Sequence, residues 1–142
     1  MKVYIASKLE NYRQVQAVRN ALRNAGHVIT YDWTEHGPAI LRGIEFLKEV
    51  AENERDGVVS ADAVVVLLPG GRGTHAELGM ACALNIPVML IADHPNTYFS
   101  CDENTCAFYW NSNVQHYVCY AEDLPDFVAG EIDRLLAGEA TP

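Results

Sequence analysis

The chain is short of basic charge. Ten lysines and arginines stand against nineteen aspartates and glutamates, a formal net charge of −9. That balance argues against a nucleic-acid polymer as partner, because non-specific binding needs basic patches. Small anions stay open, since backbone N–H groups and one arginine bind a phosphate locally. Long apolar runs are also missing: none is long enough to span a bilayer, so no membrane partner is expected. The amino terminus, MKVYIASKLEN, lacks the charged start and long apolar core of a signal peptide and reads as a strand. Four cysteines without an export signal imply reduced thiols in a cytoplasm. Cys101, Cys106, His116 and Cys119 run C-x4-C then H-x2-C, which fits no regular zinc pattern. Reduced, packed cysteine is the expectation, with Cys82 in the core and no metal or cofactor implied. Repeats and low-complexity segments are absent, and only the last few residues read as disordered.

What is present is a chain of 142 residues, 49% hydrophobic, which predicts one domain over 1–142 with a sizeable core. Residues 62 to 91 organise it. Ala63 to Leu68 is a short β-branched apolar run, the pattern of a strand buried on both faces. Pro69-Gly70-Gly71 is a turn, Thr74 to Leu84 a helix ending near Asn85-Ile86-Pro87, and Val88 to Ile91 a second buried strand. Ligands in such sheets sit where strand carboxyl ends meet helix amino ends.

The rest alternates in the same way. Lys2 to Ala6 reads as a strand, Tyr12 to Ala25 as a helix stopped by Gly26, and His27 to Tyr31 as a strand. DWTEHGP, residues 32–38, is a loop. Ile40, Ile44, Leu47 and Ala51 mark one face of a second helix. Residues 92 to 115 lack a clear period and read as a long loop with one short helix, functional or an interface. His116 to Tyr120 is a fifth strand, and Pro125 opens a last helix with Val128, Ile132 and Leu135 on its apolar face. Alternation of this kind predicts an α/β fold, a parallel sheet with helices on both faces.

Glu77 is the first candidate for chemistry. Thr74 followed by Glu77 is the spacing of a capping box, in which both side chains satisfy free N–H groups. The alternative is a carboxylate at the mouth of the sheet, kept ionised by the helix dipole and able to attack an anomeric carbon. Gly70, Gly71 and Gly73 either make the turn or let backbone approach a ligand, with Arg72 adding a charge-assisted contact to a phosphate. No lysine precedes Thr74, so this is not a Walker A motif, and the spacing is not the dinucleotide fingerprint. Glycoside chemistry also needs a second carboxyl. Glu52, Glu54, Asp56 and Asp62 precede the third strand; Glu54 or Asp56 is placed to face the pocket, and Asp62 opens the strand.

The residues KVYIAS, GHVITYDWTEHG and ADAVVVLLPGGRGTHAELGMACALNIPVMLI resemble the nucleoside 2-deoxyribosyltransferases and their nucleotide N-glycosidase relatives, over about residues 2 to 91. The resemblance implies a five-stranded, flavodoxin-like (Rossmann-like) sheet and sites completed by neighbouring subunits. It implies Glu77 as nucleophile, oriented by Tyr4, and a carboxylate that handles the leaving base: Asp56 if the gap to the third strand is six residues, Glu54 if it is eight. Ser7, at the end of KVYIAS, and Asp62 join the substrate-binding set with the glycine loop and Thr74. Two departures stand out. Gly71 replaces the serine or aspartate that many members place six residues before the nucleophile. The carboxy-terminal segment that crosses to a neighbour matches poorly, leaving Ser100, Asn111 or Asn113 as candidates. PGGRGTHAE also resembles the lonely-guy-type phosphoribohydrolases, whose upstream glycine-rich segment is missing here.

Both resemblances imply cleavage of a base–sugar bond. The leading expectation is glycosyl transfer through Glu77, with a nucleoside or nucleotide as small-molecule partner. A phosphoribohydrolase and a non-catalytic nucleotide-binding module are the alternatives. Trp33 and His36, in the loop after the second strand, are base-pocket candidates; Trp33 either covers the core or stacks on the base. The aromatic stretch Tyr98, Phe99, Phe108, Tyr109 and Trp110 predicts a homo-oligomer, a dimer or larger.

Overall fold

The computed structural model describes residues 1–138. The disorder expected of the last residues falls on 139–142, outside the described residues. Five parallel strands form one sheet: β1 (Lys2–Ser7), β2 (Val28–Ile29), β3 (Ala63–Leu67), β4 (Val88–Ala92) and β5 (Val114–Val118). Their order is β2-β1-β3-β4-β5, so the connection reverses direction between β1 and β3. That reversal opens a crevice at the strands' carboxyl ends. Four helices flank the sheet: α1 (Tyr12–Asn24), α2 (Ile44–Val59), α3 (Arg72–Ala83) and α4 (Leu124–Leu136). α1 packs on α4, and α2 on α3.

The central strands are buried on both faces because they carry almost nothing but Val, Ile, Leu and Ala. α1 turns Val15, Val18 and Leu22 inward, and α4 turns Val128, Ile132 and Leu135 inward. Each such side chain contributes about 1.5–3 kcal/mol on burial. Gly26, at φ 91°, takes the left-handed position that ends α1, and Asn85, at φ 55°, does the same just after α3.

Three expectations are corrected. β2 is only two residues long and its Val28 is exposed, because it is an edge strand. β5 starts two residues earlier than His116, since Asn113 Nδ2 donates to Ile86 O at 2.8 Å and sets the entry of the strand. Of the face expected for α2, only Leu47 turns inward; Ile40, Ile44 and Ala51 are exposed. Gly43, at φ 92°, breaks the chain between a 3₁₀ turn at Ala39–Arg42 and the helix, and Ile40 and Ile44 are 74% and 67% exposed. The inward face carries Leu47, Val50, Glu54, Gly57 and Val58, one of them charged and one without a side chain.

The long segment before β5 is loop with one 3₁₀ turn, Ala107–Trp110. No helix among the described residues is long and apolar enough to cross a membrane.

Candidate active site

α2 and α3 flank the carboxyl end of β1, and a cavity of about 390 Å³ opens there. Glu77 and Glu54 form part of its wall, with Trp33, His36 and the start of α3.

Glu77 is 6% exposed and accepts a hydrogen bond from the Tyr4 hydroxyl. On its other side it shares a hydrogen bond with Glu54. Two carboxyls in such contact hold a proton between them, since two bare carboxylates would repel. Burial is the main force on Glu77, and the charge of Glu54 adds to it; together they push its carboxyl up to about 8, against the pull of the Tyr4 hydroxyl. Burial also raises Glu54, opposed by the hydrogen bond from Glu77 and by His36. The expectation that the helix dipole keeps Glu77 ionised is therefore reversed. Glu77 lies in the second turn of α3, where the dipole has faded, and desolvation wins. The Tyr4 hydroxyl is raised far above its ordinary range by burial and by both glutamates, so it stays a donor.

The capping-box reading of Glu77 also fails. α3 begins at Arg72 with Gly71 as its N-cap, so Thr74, not Glu77, holds the third position. Thr74 Oγ1 accepts from Gly71 N–H at 3.0 Å. Glu77 is left free for Tyr4 and Glu54. Gly70 does not line the cavity; a Cβ there would sit 2.7 Å from Thr74 Cγ2, so it permits the tight turn into α3. Gly71, Arg72, Gly73 and Thr74 do line it.

The loop after β2 is pinned from behind. Asp32 accepts from Thr34 N–H at 3.0 Å and pairs with Arg19 of α1 at 2.6 Å. Trp33 Nε1 donates to Ile5 O at 2.8 Å, and the ring is 7% exposed. Trp33 is thus a core residue with one edge in the cavity. His36 Nδ1 lies 2.7 Å from Gly37 O. A carbonyl only accepts, so this nitrogen carries the hydrogen. The Nε2 that remains is buried, unpartnered and beside Glu54. Ser7 lines the cavity while its hydroxyl donates to Leu67 O at 2.7 Å.

Two residues expected at the site are elsewhere. Asp56 faces solvent, 68% exposed and 3.2 Å from its neighbour Arg55. It stands about 200° round the helix from Glu54, two residues at ~100° each. Asp62 lies at the amino end of β3, where it accepts from Lys2 N–H at 2.8 Å, a strand's length from the carboxyl edge. Of the candidates for crossing to a neighbour, Asn113 has its amide engaged within its own chain. Cys82 is half-buried rather than interior, Cys101 is exposed, and His116 is bonded to Tyr109 O at 2.6 Å. Among the described residues no three His, Cys, Asp or Glu gather as metal ligands would.

Two contributors escaped notice in the sequence. Gly57 sits one turn after Glu54, and a Cβ there would meet the Tyr4 ring at 2.9 Å. Only glycine lets α2 lie flat on Tyr4 and bring Glu54 to Glu77. Lys8 is the second basic side chain at the cavity, with Arg72. A glycine on the inward face of a helix, in register with an acid, was the available signal for Gly57.

The profile of the nucleoside 2-deoxyribosyltransferase family matches residues 3–126. The chain belongs to this family. Its fold is shared with the CMP N-glycosidase BcmB of Clostridium botulinum, at 16% identity over 94% of this chain and 99% of that one, TM-score 0.60. It is shared too with a 2-deoxyribosyltransferase of Bacillus psychrosaccharolyticus, at 22% identity over 89% and 91% of the two chains, TM-score 0.59. A conserved protein of Enterococcus faecalis V583 aligns at 17% identity over 97% and 98%, TM-score 0.53. No curated protein matches the chain. The sheet is the flavodoxin-like one of the 2-deoxyribosyltransferases.

Proposed function

We propose that the protein breaks the N-glycosidic bond of a nucleoside 5′-monophosphate, through Glu77 as nucleophile and Glu54 as acid and then base. The observation that carries this reading is the chain of hydrogen bonds that runs from the buried Tyr4 to Glu77 and on to Glu54, the two glutamates lining the cavity.

Glu77 first passes the proton it shares to Glu54 and then attacks C1′ as a carboxylate, and the bond to the base breaks with its electron pair going to the base nitrogen. Glu54 gives that nitrogen the proton the pair holds, leaving a glycosyl ester on Glu77. A water, losing its proton to Glu54, then attacks C1′ and frees Glu77. Carboxyls in hydrogen-bond contact leave no room for a water between them. Single-displacement enzymes keep theirs roughly 6.5–9.5 Å apart, so the spacing favours two displacements with retention. Tyr4 fixes the attacking oxygen and disperses its charge when the ester is released. His36 Nε2, unpartnered beside the cavity, is free to hydrogen-bond the base, and the edge of Trp33 bounds the base.

The 5′-phosphate belongs at the start of α3, where unpaired N–H groups meet Arg72 and Lys8. Backbone replaces the serine or aspartate hydrogen-bonding expected at Gly71. These two cations stand out in a chain of net charge −9. The relative BcmB is a CMP N-glycosidase, which supports a nucleotide substrate and hydrolysis. Transfer to a second base uses the same ester.

The test incubates the protein with a panel of ribo- and deoxynucleosides and their 5′-monophosphates, with and without a free second base. Released base from a monophosphate, and a glycosyl adduct on Glu77 by mass spectrometry after acid quench, are expected. Release without any adduct, undiminished in Glu77→Gln, would refute the double displacement. We also propose that the protein is a homo-oligomer. Support comes from Ile40, Leu41 and Ile44 at 74%, 81% and 67% exposure, next to the cavity residues Pro38 and Ala39. Light scattering at micromolar concentration should give at least twice the 15.7 kDa chain mass.

A further inference from the structure

His75 is not part of the chemistry described so far, yet both of its ring nitrogens are engaged. Nδ1 lies 2.7 Å from Gly71 O, and Nε2 lies 2.7 Å from the Tyr109 hydroxyl. Gly71 O also accepts the His75 backbone N–H at 3.2 Å. A carbonyl only accepts, so Nδ1 carries the hydrogen and Nε2 presents its lone pair. The Tyr109 hydroxyl must therefore donate. Burial pushes that hydroxyl up to about 12, so it keeps its proton. Tyr109 is 2% exposed, and its carbonyl accepts from His116 on β5 at 2.6 Å, with Phe99 stacked on His116 at 4.2 Å.

A relay thus runs from β5 through the aromatic segment to the N-cap of α3. The cap needs one, because glycines at 70, 71 and 73 leave this backbone freer than any other sequence would. The C=O and N–H of a peptide unit point in opposite directions. Holding Gly71 C=O down the helix aims the next N–H, that of Arg72, out of its amino end toward the cavity.

We infer that His75 and Tyr109 are positioning residues that hold the start of α3 in shape for the substrate's 5′-phosphate, an inference that rests on the reading of that site given above. The loop from Tyr98 to Trp110 thereby serves the site without touching substrate.

The test uses the monophosphate cleaved fastest by the wild type and its parent nucleoside. His75→Ala should raise KM for the monophosphate about tenfold, the scale of one hydrogen bond to a charged group, and leave the nucleoside KM within about twofold. The kcat values should hardly move. His75→Asn should restore KM, since its amide nitrogen replaces Nδ1; Tyr109→Phe should fall between. The wild-type imidazole 15N shifts should show the Nδ1–H tautomer. An Nε2–H tautomer, an equal rise in KM for both substrates, or a loss confined to kcat would overturn the inference. If the wild type cleaves neither substrate, the functional reading fails separately. Titration with inorganic phosphate, followed at the Arg72 to Thr74 amides, then decides: weaker binding in His75→Ala supports positioning, and unchanged binding refutes it.

Discussion

Two of the hollows on the carboxyl side of the sheet differ in kind. One, of about 390 Å³, lies between α2 and α3; the other, of about 320 Å³, lies among the starts of α1 and α4. Size does not separate them, and both contain acids. Asp93 and Glu122 in the second are exposed, and Asn11, at its edge, uses its amide to tie Ser7 to Pro69. Glu77 in the wall of the first, and Tyr4 behind it, are almost wholly buried and bonded to each other. Desolvated, mutually coupled titratable groups mark a place for chemistry; a hollow rimmed by hydrated acids does not.

The largest break in this contrast should come at Glu77. Glu77→Gln should lower kcat about a thousandfold or more, as removal of a nucleophile does. The same variant should alter stability in the opposite sense. The folded carboxyl titrates near 8 and the unfolded one near 4.5, so the fold holds a proton that the unfolded chain lacks between those values. Stability present below pH 4.5 is then lost as pH rises through about 8. Glu77→Gln should flatten that slope, gaining on the order of a few kcal/mol at alkaline pH, measured by urea unfolding across pH.

Next comes Glu54 against its near neighbour. Glu54→Gln should cost about a hundredfold in kcat, the usual scale of a general acid, and remove one limb of a bell-shaped pH profile. Asp56→Asn should stay within about twofold. Equal losses at the two positions would undo the assignment.

That pair also shows what was legible in the sequence. β3, β4 and the glycine turn announced themselves through apolar runs and Pro-Gly-Gly, and so did the position of Glu77. Edge strands were legible only roughly, because neighbours on one side alone set their limits. The face of α2 was misjudged because apolar residues alone were counted, and the inward stripe includes Glu54 and Gly57. Helical geometry places Glu54 in line with Leu47 and Val50 and turns Asp56 away, which a count of residues back from β3 could not resolve. The state of Glu77 was not legible at all, since desolvation depends on what packs round it.

A smaller effect is expected at Trp33, which serves core and cavity together. Trp33→Phe removes the hydrogen bond to Ile5 O, about 1 kcal/mol, and should lower Tm by roughly 3–5 °C while raising KM only a few-fold. A large KM change at constant Tm would make Trp33 a binding residue alone. The smallest effect belongs to the second hollow: Asp93→Asn and Glu122→Gln should leave kcat/KM within about twofold. A tenfold loss in either would erase the distinction between the hollows.

Gly57 acts as a shim of zero thickness between α2 and the ring of Tyr4. The Cβ it lacks would overlap that ring by a few tenths of an ångström, at 2.9 Å from its nearest carbon. Catalytic alignment tolerates misplacements of that order and little more, about 0.5 Å. The gauge of this site is therefore set by an atom that is missing, one helical turn from Glu54. Anyone retuning the site, or nature diversifying it, can change the gap between Glu54 and Glu77 by one methyl group without altering either.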